Sequence, residues 1–157
     1  MTILGIDPGC RFAGFAVIKK NTTTSNMVDH GVLKLSAKDP MHNRIEVFYS
    51  FFLQKIKEHE VTSLAIETPF MGKNAQNFLK LGQLRGVLYL LASQNRLMLN
   101  EFAPMQIKQA LTGFGAAQKE QVAFVVKRLF PMIQVSEYYD ETDAIAVTLC
   151  GLWTHKG

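Results

Sequence analysis

The chain has 157 residues, of which 48% are hydrophobic, and it carries a formal net charge of +4 with a pI near 9.1. This length predicts one domain, spanning residues 1–157, with a substantial core. No apolar run reaches the roughly 20 residues needed to cross a bilayer. The chain does not begin with a basic segment followed by a long apolar stretch. We therefore expect no signal peptide, no membrane association and a cytoplasmic location. Two distant cysteines argue for a reducing compartment and against a disulfide or zinc framework, and the basic charge is compatible with a polyanionic partner without establishing one.

Apolar patterning along the chain predicts an alternation of strands and helices. Period-two or continuously apolar runs predict five strands, at residues 3–7, 12–19, 27–36, 62–67 and 97–102. Helical spacing of apolar residues predicts five helices, at residues 41–60, 75–96, 104–111, 118–130 and 139–153. Three successive strands indicate an antiparallel beginning, and the later alternation indicates a mixed α/β sheet covered by helices.

Two of the predicted strands end in an acidic residue that a proline soon follows. Asp7 ends the first strand and precedes Pro8, while Glu67 ends the fourth and precedes Thr68 and Pro69. Ligands of open α/β sheets collect at the carboxyl ends of strands. A carboxylate on so apolar a strand requires a counter-charge or a metal ion. The repeated layout therefore predicts a site at this edge of the sheet.

A pair of acids begins the last predicted helix. Asp140 and Asp143 are three residues apart, so they share a helix face, and the positive end of the helix dipole favours their ionised form. Four converging carboxylates repel one another unless divalent cations neutralise them, and all-oxygen ligands suit Mg²⁺ or Mn²⁺. Two such ions about 3.5–4 Å apart activate water for phosphodiester hydrolysis.

Each acid also has an ordinary structural interpretation. Asp7 is a typical turn former, Glu67 a typical strand-end residue, and Asp140 and Asp143 typical first-turn helix acids. The repeated strand–acid–proline layout, followed by a helical acid pair, favours a shared site over four separate explanations. By their position, Glu137 and Glu141 are interpreted as solvated. The histidines show no ligand spacing and are interpreted as surface residues; they are His30, His42, His59 and His155.

Four motifs in order resemble the bacterial RuvC family of Holliday junction resolvases. They are Gly-Ile-Asp-Pro-Gly (5–9), Ile-Glu-Thr-Pro-Phe-Met-Gly-Lys-Asn-Ala (66–75), Leu-Lys-Leu-Gly-Gln-Leu-Arg-Gly (79–86) and Asp-Glu-Thr-Asp-Ala-Ile-Ala (140–146). The likeness runs from residue 3 to about 153 and implies a ribonuclease H-like fold. It also implies that the matching acids are catalytic and bind two Mg²⁺ ions, with Mn²⁺ as a substitute; these are Asp7, Glu67, Asp140 and Asp143.

The same resemblance implies contacts with DNA around the acidic site. Phe70 lies outside the periodic pattern of its neighbours, and an exposed aromatic there would stack on an unpaired base, which is worth about 1–3 kcal/mol. Lys73 and Asn74 follow on the same loop, and Lys108 and Lys119 flank a glycine-containing loop, where lysines would position phosphates. The alternatives are a core phenylalanine and solvated surface lysines.

The resemblance implies a homodimeric, Mg²⁺-dependent endonuclease that cuts four-way junction DNA during recombination and repair, with RuvA and RuvB as partners. Gly82 and Gly86 share a helix face, which fits either close packing on the sheet or a two-fold dimer contact; the sequence does not separate the two. One alternative function is a junction-binding protein without catalysis. Another is an actin-like ATPase fragment, because such proteins begin with a motif similar to residues 5–9.

Overall fold

The computed structural model describes residues 1–69, 72, 74–134 and 138–154. Within these ranges the strands are β1 Thr2–Asp7, β2 Phe12–Lys20, β3 Ser25–Lys34, β4 Ser63–Glu67 and β5 Met98–Phe102. The helices are α1 Met41–Glu58, α2 Ala75–Gln94, α3 Pro104–Thr112, α4 Lys119–Leu129 and α5 Tyr139–Thr154. No helix among the described residues combines the length and the apolar character of a transmembrane span.

The strands form one mixed sheet with the spatial order β3-β2-β1-β4-β5. β2 runs antiparallel to both β1 and β3, whereas β4 runs parallel to both β1 and β5. This arrangement confirms the predicted α/β class, with three antiparallel strands followed by two parallel ones. β1 is the central strand, so the residue that ends it lies in the middle of one sheet edge.

Helices cover both faces of the sheet, which explains why the central strands are continuously apolar rather than alternating. Ile3, Leu4 and Ile6 of β1 are all fully buried. Leu4 and Ile6 pack with residues of α1 and α2, including Phe48 and Leu88, in one core. The second core, on the opposite face, contains Ile3 together with residues of α3, α4 and α5. The sheet edge carrying the strand ends thus lies between two packed helical layers.

Element boundaries differ from the predictions by a few residues. β3 spans Ser25–Lys34 rather than 27–36, and its pairing with β2 shifts register between Val17 and Ile18. α1 ends at Glu58 rather than residue 60, and Glu60 has a positive φ of 52°. A left-handed residue cannot continue a right-handed helix, so this position turns the chain toward β4.

Candidate active site

The acids that end two strands lie beside each other. β1 and β4 are parallel and paired in register, with Ile6 opposite Ile66, so Asp7 and Glu67 follow at the same level. Both side chains therefore project from adjacent ends of a buried sheet, where backbone hydrogen bonding holds them rigidly. This is the placement that the strand–acid–proline pattern predicted.

The helical acids reach the same edge because α5 packs directly on the sheet. A Cβ atom built on Gly14 of β2 would lie 1.8 Å from the carbonyl oxygen of Asp140. Only glycine permits the first turn of α5 to approach the strand so closely. This contact sets the height of Asp140 and Asp143 above the sheet, and it brings them into electrostatic contact with Asp7.

Burial and mutual repulsion disfavour the ionised forms of three of these acids. The pKa of Asp7 is raised well above its ordinary value, first by burial and then by the charges of Asp143, Asp140 and Glu67. Burial, followed by the charge of Asp143, also raises the pKa of Glu67. Burial raises the pKa of Asp143 despite the opposing effect of Lys119. Ionising all of these acids at once is therefore unfavourable in the protein alone.

Lys119, at the start of α4, supplies the nearest positive charge. Its Nζ donates a hydrogen bond to Asp143 Oδ2 at 3.1 Å. Burial alone would lower the pKa of this amine, but the charges of Asp143, Asp7 and Glu67 raise it. Lys108 of α3 lies close enough to lower the pKa values of Glu67 and Asp143. The predicted pair of lysines thus lies directly beside the acids.

Two adjoining cavities make up the cleft. One, of about 240 Å³, is lined by residues that include Asp7, Glu67 and Asp143. The other, of about 400 Å³, shares Glu67 and Asp143 and adds Lys108, while Lys119 lines both. The cleft is therefore lined by both carboxylates and amines.

The donor set suits a hard divalent cation, because carboxylate oxygens are the ligands that Mg²⁺ and Mn²⁺ prefer. Among the described residues, no three acidic, histidine or cysteine side chains surround a common point in ligating geometry. Instead, the ammonium group of Lys119 lies against Asp143. A metal ion entering here would take over the charge compensation that Lys119 now provides.

The other predicted DNA-contact residues lie on the segment between β4 and α2. Asn74 is the N-cap of α2, and its Oδ1 accepts a hydrogen bond from the backbone N–H of Asn77 at 3.0 Å. This gives Asn74 a structural role that the sequence analysis did not assign. Phe70 and Lys73 lie outside the described residues, so their predicted roles stay predictions.

The interpretation of Glu141 as solvated is wrong. Its side chain is only 2% exposed, and Oε1 lies 2.5 Å from Nδ1 of His30 on β3. This contact ties the first turn of α5, which carries Asp140 and Asp143, to an outer strand of the sheet. His30 is accordingly not a simple surface residue. The helical spacing of residues 139–153 contains no signal for a partner more than a hundred positions away.

Sequence analysis also missed the role of Arg85. This arginine of α2 is 5% exposed, and its guanidinium donates hydrogen bonds to the carbonyl oxygen of Glu67 and to the carboxylate of Glu101 on β5. It also donates to the hydroxyl of Tyr89 at 3.2 Å. Arg85 therefore braces the end of β4 from which the Glu67 side chain projects. Its one signal was a charged residue on the apolar face of a predicted helix.

Comparison with known proteins agrees with this geometry. A family model for the crossover junction endodeoxyribonuclease RuvC matches residues 3–151. The RuvC protein of Pelodictyon phaeoclathratiforme is 41% identical over 152 residues, which is 97% of this chain and 80% of the relative.

Solved structures of Thermus thermophilus RuvC are also similar. One has a TM-score of 0.85 at 26% identity and covers 98% of this chain and 94% of its own. The other, in complex with a Holliday junction substrate, has a TM-score of 0.86 at 27% identity and covers 96% of this chain and 92% of its own. These similarities confirm the family resemblance found in the sequence and the ribonuclease H-like fold that it implies. The chain belongs to the RuvC family of crossover junction endodeoxyribonucleases.

Proposed function

We propose that this protein is a divalent-metal-dependent endonuclease that resolves four-way DNA junctions by phosphodiester hydrolysis in recombination and repair. The observation that carries the proposal is the clustering of Asp7, Glu67, Asp140 and Asp143 at one sheet edge beside Lys119, in a chain of the RuvC family. Neighbouring acids with raised pKa values in a cleft, here Asp7, Glu67 and Asp143, are typical of a functional site.

The four acids would hold two Mg²⁺ ions, for which Mn²⁺ would substitute. Bound there, the ions would activate water and stabilise the charge that develops on the phosphate. Asp7 and Glu67 provide fixed oxygens because they end paired strands, and Asp140 and Asp143 complete the set from α5. The ammonium group of Lys119 would leave Asp143 and contact the phosphate, so it would orient the substrate while the acids engage the metal.

The DNA would be positioned by side chains around the cleft. Lys108 and Lys119 line it and would contact the backbone on the α3 and α4 side of the scissile phosphate. Phe70 would stack on an unpaired base near the crossover, and Lys73 would contact phosphate from the same segment. The Asn74 side chain, as the cap of α2, would order that segment where it joins the helix.

A homodimer through α2 would pair two such sites. A Cβ on Gly82 or Gly86 would meet nothing within 4 Å, so packing on the sheet does not explain either glycine. Leu79 and Leu90 continue the same helix face and are 67% and 49% exposed. A two-fold contact here would bury apolar surface and place two clefts for paired cuts. RuvA and RuvB would deliver the junction to this dimer.

The central experiment replaces Asp7 with Asn and compares binding with cleavage of a labelled synthetic four-way junction. The variant keeps the side chain's size but removes a ligand charge, so we expect near-normal junction binding in EDTA and loss of cleavage in Mg²⁺. Asp39→Asn, at an exposed turn before α1, is the matched control and should cleave normally. Cleavage by Asp7→Asn at the wild-type rate would overturn the proposed mechanism.

The same assay separates the alternatives. Junction binding by the wild-type protein without cleavage in Mg²⁺ or Mn²⁺ would indicate a catalytically silent binding protein. ATP hydrolysis without any nuclease activity would indicate an actin-like ATPase fragment. Cleavage in Mg²⁺ that EDTA abolishes is the result expected of the proposed endonuclease.

The dimer has its own test. Gly86→Glu places a charge at the proposed contact, so the molar mass in light scattering should fall from two chains to one. Ser50→Glu on the neighbouring helix α1 is the control and should leave the mass unchanged. A dimer that persists in Gly86→Glu would show that another surface joins the chains.

A further inference from the structure

Two cations and two aromatic rings form a cluster on the surface near the cleft. Phe12 and Tyr138 stack with ring centroids 4.8 Å apart and an interplanar angle of 29°. The Arg11 guanidinium carbon lies 5.8 Å from the centroid of the Phe12 ring, and Lys34 Nζ lies 5.2 Å from that of Tyr138. We call these four side chains the edge cluster.

Sheet topology places the edge cluster on the same edge as the catalytic acids. β1 ends at Asp7, and its antiparallel neighbour β2 begins at Phe12, which pairs with Lys34 at the end of β3. Tyr138 directly precedes α5, whose first turn carries Asp140. The edge cluster therefore flanks the acids on the side of β3.

The two predicted lysines flank the acids on the opposite side. Lys108 and Lys119 belong to α3 and α4, and they line a cavity with Glu67, which ends β4. β4 and β3 lie on opposite sides of β1 in the sheet. The acidic cluster thus lies between two positively charged surfaces along a single edge.

The edge cluster is better suited to contact an external partner than to stabilise the fold. Arg11 and Lys34 are exposed, and Tyr138 is 36% exposed. Within the described ranges, neither cation forms an ion pair with an acid. Cation–π contacts at exposed sites stabilise a fold only weakly. Basic side chains interleaved with aromatic rings are the combination that binds nucleic acid, through phosphates and through stacking.

Positive charge on the β3 side complements the lysines on the other side of the acids. Without metal ions the carboxylates repel the DNA backbone, and the lysines of α3 and α4 attract it from one side only. Positive charge on both sides would hold a duplex across the acids with its scissile phosphate centred over them.

We propose that the edge cluster binds the phosphate backbone of a junction arm on the β3 side of the cleavage site. Arg11 and Lys34 contact phosphates, and the stacked rings of Phe12 and Tyr138 hold the two cations in place and pack against the deoxyribose. This inference rests on the proposed junction-resolving function and adds a specific DNA path to it.

The test is the salt dependence of junction binding in charge-reversal variants. Binding of a fluorescent four-way junction is measured in EDTA for wild type, Arg11→Glu and Lys34→Glu across a range of KCl concentrations. The logarithm of the affinity falls with the logarithm of the salt concentration, and each lost phosphate contact should make this slope less steep by about 0.9. We expect each variant to raise the Kd at low salt by about tenfold or more.

Lys19→Glu is the matched control, because Lys19 is an exposed lysine of the same strand β2 but pairs with Thr2 at the opposite sheet edge. It should keep the wild-type slope. Lys34→Gln removes the charge without reversing it and should give a smaller change in the same direction. Melting temperatures of all variants show that the fold is intact.

The outcomes distinguish this proposal from the function on which it rests. If the wild-type protein fails to bind or cut the junction, the junction-resolving function itself is wrong. If the wild type binds and cuts but Arg11→Glu and Lys34→Glu keep its slope, the edge cluster does not contact DNA. Equal losses in Lys34→Glu and Lys19→Glu would show only a general effect of net charge, and would likewise overturn the proposal.

Discussion

Replacing Gly14 with Ala should separate catalysis from DNA binding. The added Cβ would lie 1.8 Å from the carbonyl oxygen of Asp140 and 2.8 Å from the backbone nitrogen of Glu141. Real Cβ atoms essentially never come within 3.0 Å of such atoms, so the first turn of α5 must retreat by about 1 Å or more. Asp143 lies on the same turn and moves with it. A displacement of about 1 Å in a catalytic constellation costs on the order of 100-fold in rate.

Single-turnover cleavage of a labelled four-way junction at saturating Mg²⁺ measures this loss, and titration in EDTA measures binding, which we expect to stay near wild type. Overpacking costs about 1–3 kcal/mol, so thermal unfolding confirms that the variant is folded at the assay temperature.

Gly151→Ala is the control for that variant, because it adds the same methyl group to the same helix–sheet interface far from the acids. Its Cβ would come 3.1 Å from the Cβ of Ala65, which a small adjustment accommodates. Gly151→Ala should therefore cleave at nearly the wild-type rate. Cleavage by Gly14→Ala at the wild-type rate, with α5 unmoved in its crystal structure, would refute the coupling between this strand and the acids.

Three further predictions concern stability. Burial and neighbouring acids raise the pKa of Asp7, so its ionised form opposes folding at neutral pH. In the absence of metal, Asp7→Asn should therefore melt about 2–4 °C higher than wild type. Added Mg²⁺ should raise the melting temperature of the wild type only. Burial alone would raise the pKa of Asp29, but hydrogen bonds from Lys55 and His59 lower it below its ordinary value. This stabilisation is complete above the unfolded pKa and is lost as pH falls through the folded one. Urea unfolding should therefore show Asp29→Asn less stable than wild type at pH 7, with a smaller difference at acid pH. His30→Ala removes a partner of the buried Glu141 carboxylate and should cost about 1–3 kcal/mol in urea unfolding; an unchanged midpoint would show that this pair contributes little.

The acids on strands could be predicted because both signals are local. An apolar run identifies a strand, and a terminal acid followed by proline identifies the residue at its end. Parallel pairing then brings Asp7 and Glu67 together, since the carboxyl ends of parallel strands share a sheet edge. The helical pair Asp140 and Asp143 was accessible for the same reason, because spacing along a helix determines which side chains share a face.

The supporting residues could not be predicted because their partners are remote in sequence. Glu141 looks like an ordinary first-turn acid, yet its helix is buried on nearly every side, so that position has no solvated face. The way α5 crosses the sheet decides which of its faces are exposed, and the sequence does not show that crossing. Arg85 and Gly14 are similar cases, since their roles depend on contacts with the ends of β4 and α5.

Two of the acids lie on strands and two on a helix, so the site is complete only when that helix has packed on the sheet. Asp7 and Glu67 are in place once β1 and β4 have paired, but Asp140 and Asp143 arrive only when α5 docks across the sheet. That docking brings buried carboxylates together, and burial followed by the charges of the neighbouring acids raises the pKa of Asp7, which opposes the docking when the acids are ionised. Three features of the packing of α5 oppose this repulsion. They are the close approach at Gly14, the Glu141–His30 contact and the apolar surface of the helix. The packing of α5 therefore holds together a group of acids whose charge Lys119 balances only in part.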